Sequence, residues 1–214
     1  MILVKILDLV DVYFFRLLVN LAYPQYYRPA KGYLKYYQVL KRYFFFQKVL
    51  RVNGRVPWPV DFRSKVIGWE YIQKGILCDP GDSSGVYINA FGGLKIGDNV
   101  EIAANSVIVT TNHDKYDQRK IRGVQGVTIG NNVWIGANCV ILPGSAIGDE
   151  VTIGAGCVVS GVIPSKSTVT QGRGSLVVRP KSMDYQWDIY KENLNRSYHP
   201  TYASKCIKPA KLNL

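Results

Sequence analysis

The chain is poor in the residues that build metal and disulfide frameworks. Its 214 residues include only two histidines and four cysteines, Cys78, Cys139, Cys157 and Cys206. No two cysteines have the CxxC spacing of a zinc ribbon. Two histidines cannot supply a three-histidine zinc site within one chain, so no metal is expected. A chain of this length has no need of disulfides, and all four cysteines are read as reduced thiols. A clean signal peptide is also missing. The segment "MILVKILDLVDVYFFRLLVNLAY" has no small-residue cleavage site before Pro24, and Lys5, Asp8, Asp11 and Arg16 interrupt its apolar run. Burying those charges in a bilayer is costly, which argues against a spanning helix. At about 100° per residue the four charges fall within roughly 140° of arc, the pattern of an amphipathic helix.

Acidic residues are scarce as well, 15 against 27 Lys and Arg, giving a net charge of +12. The imbalance is local. Residues 1–60 hold ten basic and two acidic residues, 61–170 hold nine and ten, and 171–214 hold eight and three. Basic flanks around a neutral middle suit nucleic acid, an anionic membrane face or phosphorylated ligands. The flanks carry no recognisable nucleic-acid motif, so nucleic acid is not an expected partner.

Three segments follow. Residues 1–56 read as a basic, amphipathic α-helical region. Its two helical patterns, 2–22 and 33–51, are separated by "YPQYYRPAKG". The second pattern, "YLKYYQVLKRYFFFQKVLRV", interleaves aromatic and aliphatic residues with Lys35, Lys41, Arg42, Lys48 and Arg51. Two readings stand: a membrane-surface element touching anionic lipid through residues 1–51, or a cap whose apolar face covers an open end of the fold. Residues 171–214 form a strand-like exit and a Tyr-rich basic tail, with a short helix expected around 184–194.

Residues 57–170 hold a six-residue repeat, IGDNVE, IAANSV, IVTTNH, then IGNNVW, IGANCV, ILPGSA, IGDEVT, IGAGCV and VSGVIP. The first position is aliphatic every time, from Ile96 to Val159, and the fifth is small or β-branched in eight of the nine units. A period of six fits neither helix nor a single strand. It fits a solenoid in which each hexad makes one short strand and one turn, with three hexads to a triangular coil of about 18 residues. First positions then point inward and stack on the residue 18 later, and the small fifth residues fill the corners. Cys139 and Cys157, 18 apart, become stacked interior groups. The repeat stops after His113, where the charged stretch 114–126 is expected to leave the coil as a loop. By hexad register, Asn112 turns inward and His113 projects outward beside that loop. Imidazole there suits a general base. His199, in the basic tail, has no such setting.

At these residues the chain resembles the hexapeptide-repeat acyltransferases. "IGDNVEIAANSVIVTTNH" and "VTIGNNVWIGANCVILPGSAIGDEVTIGAGCVV" match that family's pattern, and the resemblance covers roughly residues 84–180. It looks closest to the sugar and surface-polysaccharide O-acetyltransferases. The resemblance implies an all-β fold, a left-handed parallel β-helix with an N-terminal α-helical extension. It implies a homotrimer with active sites in clefts between subunits. The implied function is O-acetylation of a sugar hydroxyl by acetyl-CoA, in capsular, O-antigen or other cell-surface polysaccharide synthesis. The alternative is N-acetylation of a nucleotide-linked amino sugar, although no Gly-rich α/β domain is visible. The protein is expected in the cytoplasm, at the inner face of the membrane.

The resemblance also assigns residues. His113 becomes the catalytic base, with Asp114, Asp117 or a backbone carbonyl to orient its ring. Independently of the resemblance, the tight turn at "WIGAN" offers backbone N–H groups near Gly136 and Ala137 for the oxyanion, and Ala137 stands where the family often has serine. Asn89, in "YINAFGG", matches an acceptor-binding asparagine; a turn or ladder role is the other reading. Trp134, Ala137, Gly154 and Ala155 would line the CoA groove, with Trp134 open to a subunit-contact role instead. Arg179 matches an arginine near the nucleotide 3′-phosphate. The family's lysine before the exit proline and its second Gly-Asn-Pro turn are missing, and Arg173 and Lys166 are the substitutes for the lost charge.

Overall fold

The computed structural model describes residues 2–27, 34–114, 116–117, 119–172 and 176–182. Cys206, His199, Arg173 and the helix expected around 184–194 lie outside the described residues.

The repeat winds into coils of three short strands. The first coil has β1 (Lys65–Ile67) and β2 (Ile72–Lys74), and the second β3 (Tyr87–Asn89), β4 (Leu94–Ile96) and β5 (Val100–Ile102). In the third, β6 (Val107–Val109) is followed by β7 (Thr111–His113) and β8 (Ile121–Val124), then β9 (Val127–Ile129) and β10 (Val133–Ile135). The fourth has β11 (Val140–Ile141), β12 (Ala146–Ile147) and β13 (Thr152–Ile153). The fifth has β14 (Val158–Val159), β15 (Val162–Ile163) and β16 (Ser167–Gln171), and β17 (Leu176–Pro180) turns back antiparallel on β16. Stacked coils form three five-stranded faces, parallel throughout except for β17. Face one is β1-β3-β6-β11-β14, face two β2-β4-β9-β12-β15, and face three β5-β10-β13-β16 with β17. This is a left-handed parallel β-helix.

The stacking follows the hexad. Ile135 pairs with Ile153 and Ile141 with Val159, each 18 residues on. Ile88, Ile108, Ile135, Ile141 and Val159 are fully buried, and each such side chain contributes about 1.5–3 kcal/mol. Cys139 and Cys157 are buried as expected, and Cys78, Cys139 and Cys157 are free thiols. At the fourth hexad position the chain turns through left-handed backbone, at Asn99, Asn105, Asn132 and Asn138 with φ of 54–59°. Asparagine tolerates that region better than most residues.

The helical region has an unusual polarity. An α-helix over Ile2–Val10 continues through a π-helical turn, Asp11–Phe15, into Arg16–Ala22. A second helix runs Tyr36–Val39 and, in π geometry, Leu40–Val49. The acids of the first helix face the second. Asp11 is 7% exposed, and its carboxylate accepts the backbone N–H groups of Tyr36 and Tyr37 at 3.0 and 2.8 Å. That caps the second helix, and Asp8 pairs with Lys35 at 2.8 Å. Leu7, Tyr13, Leu17 and Leu21 are left exposed, at 59, 74, 57 and 72%. A small core of Val19, Tyr23, Tyr26, Tyr36, Val39 and Tyr43 joins the two helices.

The helical pair also caps the coil. Gln47, fully buried, donates to the carbonyl of Trp58 at 2.8 Å and accepts from Val60 N–H at 3.0 Å. Trp58, also fully buried, joins the coil's core and donates to the Pro80 carbonyl. Cap and exposed apolar surface therefore coexist in one element.

Candidate active site

The coil ends at Thr110, three residues before the expected place. Thr110 is fully buried, donates its hydroxyl to the Asn89 carbonyl at 2.9 Å and accepts Gly92 N–H at 2.7 Å. This lock sits at the corner between faces one and two. The chain then leaves as an antiparallel hairpin, β7 on β8, rather than as the irregular loop expected over 114–126. Strand pairs spanning it, such as Ile102 with Ile135, are 33 residues apart instead of 18. Asn112 is exposed, not turned inward, because the hexad register has already been abandoned. His113 is exposed at the end of β7, opposite Ile121. Thr111 pairs with Val124 and His113 with Ile121, so the extra residue lies in β8, where Gly123 has a φ of 85°.

The hairpin tip braces itself. The Asp114 carboxylate accepts N–H from Tyr116 and Asp117 at 2.7 and 3.1 Å, and Asp114 N–H reaches the Lys120 carbonyl. Asp117 is gripped by the Arg119 guanidinium at 2.9 and 3.1 Å, which holds its carboxyl below the usual range. Both aspartates therefore shape the turn that carries His113. Asn89 stands at the base of the same hairpin. Its amide nitrogen donates to the Thr111 hydroxyl, and its oxygen accepts Phe91 N–H, both at 3.3 Å. Thr111 and His113 are two apart on a strand, so their side chains share a face about 7 Å apart. Thr111 stands in no motif of the sequence; the doubled threonine before Asn112 is its only signal.

The remaining site residues gather at a different corner, between faces three and one. Trp134 is 58% exposed in mid-strand on face three. Strand register places it in one row with Thr152, Thr168 and Arg179, spanning about 14 Å. Arg179 is exposed and donates to Thr170 at 3.4 Å. One corner on, Ala104, Ala137 and Ala155 occupy the third hexad position of successive coils. At the corner between faces two and three, that position is polar. There the side chains of Asp98, Asn131 and Asp149 each accept an N–H from the coil before, at 2.8, 2.8 and 2.6 Å. Alanine offers no such acceptor. Among the described residues nothing accepts the N–H groups of Ala104, Ala137 and Ala155, so they form a ledge of unused donors.

The expectation for Gly136 is corrected. Its N–H is committed to the Ile153 carbonyl at 2.8 Å, so it is no oxyanion donor. A Cβ on Gly136 would lie 2.6 Å from Ala155 N, so glycine is required there by coil stacking. Gly154 is similarly bonded, to the Val169 carbonyl. Of the expected pair of donors, only Ala137 keeps a free N–H.

Thus two half-sites lie on opposite edges of face one. Asn89, His113, Asp114 and Asp117 are at one edge; Trp134, Ala137, Gly154, Ala155 and Arg179 belong to the other. Arg173 lies outside the described residues.

Comparison with known proteins agrees with the repeat. Residues 126–161 match the family model for the bacterial transferase hexapeptide (six repeats). No curated protein matches the chain. Solved structures do. A maltose O-acetyltransferase of Clostridium difficile 630 is 30% identical over 56% of this chain and 64% of its own, with a TM-score of 0.43. A galactoside acetyltransferase in complex with coenzyme A is 28% identical over 61% and 70%, TM-score 0.47. A hexapeptide-repeat acetyltransferase of Vibrio cholerae in complex with acetyl-CoA is 23% identical over 57% and 69%, TM-score 0.46. The chain thus spans less than two thirds of the maltose enzyme's length. Residues 126–161 thus match the bacterial transferase hexapeptide model, and they lie within the six-residue, three-faced coil described above.

Proposed function

We propose that the protein transfers acetyl from acetyl-CoA to a hydroxyl of a saccharide, with His113 as general base. The observation that carries the reading is the hairpin. The largest break in the repeat, where stacked residues lie 33 apart, carries an exposed His113 on a hairpin with Asn89 and Thr111 bonded at its base. The two edges of face one cannot meet within one prism, because a strand of the coil lies between them. They meet when a second copy sets its alanine ledge against the first copy's hairpin, and closed threefold assembly repeats that contact three times.

In this arrangement His113 takes the proton of the acceptor hydroxyl as its oxygen attacks the thioester carbonyl. The oxyanion is met by the neighbouring copy's Ala137 N–H, which has no competing acceptor in its own coil. The C–S bond breaks, and the imidazolium returns the proton to the departing CoA thiolate. Asn89 orients the acceptor, and its bond to Thr111 keeps it in line with the base. The small Ala137, Gly154 and Ala155 let pantetheine approach backbone. Trp134 walls the groove, and Arg179 faces the nucleotide phosphates.

The test is acetyl transfer to a panel of surface-polysaccharide repeat units, each beside its amine analogue, with wild type and His113→Ala in parallel. Losing a positioned base costs about 10²–10⁴-fold in rate, with CoA binding retained. Equal turnover by the variant would refute the role of His113. Preference for the amine would move the substrate to amino sugars.

The same reading includes a site of action at the cytoplasmic membrane face, in surface-polysaccharide synthesis. No helix among the described residues is long and apolar enough to cross a membrane. A helix with its acids turned inward and Leu7, Tyr13, Leu17 and Leu21 outward suits burial in the headgroup region instead. Exposed Lys41 and Arg42 supply attraction to anionic lipid. Flotation with anionic vesicles is expected for the full chain, and weaker binding for Leu17→Glu/Leu21→Glu. Unchanged binding by that variant would reject the contact.

A further inference from the structure

Between the end of the second helix and the first coil runs an open groove of about 580 Å³. One stretch of its wall is cationic. Arg51, Arg55 and Lys65 line it against one carboxylate, Glu70. All three cations are exposed, and none makes an ion pair among the described residues. Arg51 sits where the helix stops, in left-handed backbone with a φ of 64°. Glycine usually takes such a position, so placing arginine there retains a charge at a conformational cost.

The other stretch is aromatic, formed by Trp69 and Phe91. Phe91 connects the groove to the proposed base. Its N–H donates to Asn89, Asn89 donates to Thr111, and Thr111 is two residues from His113 on β7. On the outside, Arg51 is flanked by Leu50 and Val52, 53 and 38% exposed, beside Phe45 and Val49 at 55 and 54%. The cations therefore lie between an exposed apolar surface and the acceptor side of the candidate site.

An uncharged glycan has no use for three unpaired cations, whereas a phosphate does. In the proposed reading the donor's own phosphates lie elsewhere, at Arg179 on β17, at the opposite end of the coil from β1. We infer that this groove binds the acceptor's phosphate: the acceptor is a saccharide with a phosphate or diphosphate at its reducing end. Its sugar lies over Trp69 and Phe91, and its hydroxyl is delivered past Asn89 to His113. Position beside Leu50 and Val52 suits a phosphate whose other substituent is a lipid in the bilayer. The assignment rests on the acetyl-transfer reading and narrows its acceptor.

Binding, not turnover, tests it. The full chain is saturated with CoA, so that the donor's phosphate contacts are occupied, and titrated with inorganic pyrophosphate, a hexose 1-phosphate and the free hexose. Arg55→Gln, Lys65→Gln and their combination are compared with Lys95→Gln, an exposed lysine on β4 away from the groove. Pyrophosphate should bind and weaken about tenfold for each groove cation removed. Lys95→Gln should have no effect, and melting temperature and CoA affinity should hold throughout. The hexose 1-phosphate should bind more tightly than the hexose, and Phe91→Ala should weaken the sugar phosphate but not pyrophosphate. Absent pyrophosphate binding, or equal affinity in the double variant, overturns the proposal. So does a double variant that loses only its binding to phosphatidylglycerol vesicles, which would make these cations lipid contacts. Cation-dependent pyrophosphate binding combined with His113-independent transfer would overturn the catalytic reading alone and leave the phosphate site standing.

Discussion

Gln47→Leu should separate the helical pair from the coil. The amide of Gln47 is fully buried where the second helix meets the segment entering the solenoid. Its oxygen accepts Val60 N–H at 3.0 Å, and its nitrogen donates to the carbonyls of Trp58 at 2.8 Å and Val56 at 3.3 Å. Leucine fills nearly the same space and removes all of these bonds. The Val56 carbonyl keeps Lys48 as a donor at 3.0 Å. Val60 N–H and the Trp58 carbonyl are stranded in an apolar interior. Each orphan costs about 1–3 kcal/mol, so the variant should lose about 2–6 kcal/mol. Denaturant unfolding, followed by far-UV circular dichroism and by tryptophan fluorescence, reads it, since Trp58 reports the junction. Earlier loss of the helical signal than of the strand signal is expected. A change below about 1 kcal/mol with coincident transitions would refute the claim that this amide fastens the two parts.

Asp11→Ala removes the acceptor for two N–H groups of the second helix. A loss of about 1–2 kcal/mol is expected, read as a lowered melting temperature, with a smaller drop for Asp11→Asn. Gly136→Ala forces a methyl to within 2.6 Å of Ala155 N, whereas the nearest atom at Gly154 is 3.3 Å away. The first should destabilise by about 1–3 kcal/mol and the second by less in thermal melts. Asp82 is held protonated by burial, with neighbouring Asp79 adding to the effect, and its pKa is raised to about 7. The folded form therefore binds this proton more tightly than the unfolded chain. Its contribution is complete below the unfolded value near 3.9 and is lost as pH rises towards 7. Asp82→Asn should raise the melting temperature at pH 8 and change it little at pH 4, a difference on the order of 1–3 kcal/mol.

The coil was legible because its cause is repeated. An aliphatic residue every sixth position allows only one stacking, and the pairing of Ile135 with Ile153 follows from counting to 18. Where the chain leaves the coil was not legible. IVTTNH continues the hexad as well as any other unit, and the exit at Thr110 depends on bonds to Asn89 and Gly92, one coil earlier. That is why the hexad count turns Asn112 inward while the folded chain leaves it exposed. The charged stretch after His113 lacks strand alternation and reads as a loop, although Ile121–Val124 pairs as β8. The turn at Gly136 points to an oxyanion donor, but its N–H is used by the next coil, a contact between residues 17 apart. The unused donors at Ala104, Ala137 and Ala155 become visible only against the polar ladder of Asp98, Asn131 and Asp149 at the neighbouring corner. The groove cations come from a helix end and the first strand, and only tertiary packing brings them together.

The account's central claim is that the base on one copy works against the alanine ledge of another. Subunit mixing tests it most directly. His113→Ala removes the base, and Ala155→Trp blocks the ledge while keeping the hairpin. Each variant alone should be nearly inactive in acetyl-CoA turnover. Unfolded, mixed in equal amounts and refolded together, they should recover about a quarter of wild-type activity, because one interface in four unites an intact base with an intact ledge. No recovery in a mixture shown by native mass spectrometry to contain hybrid assemblies would contradict it.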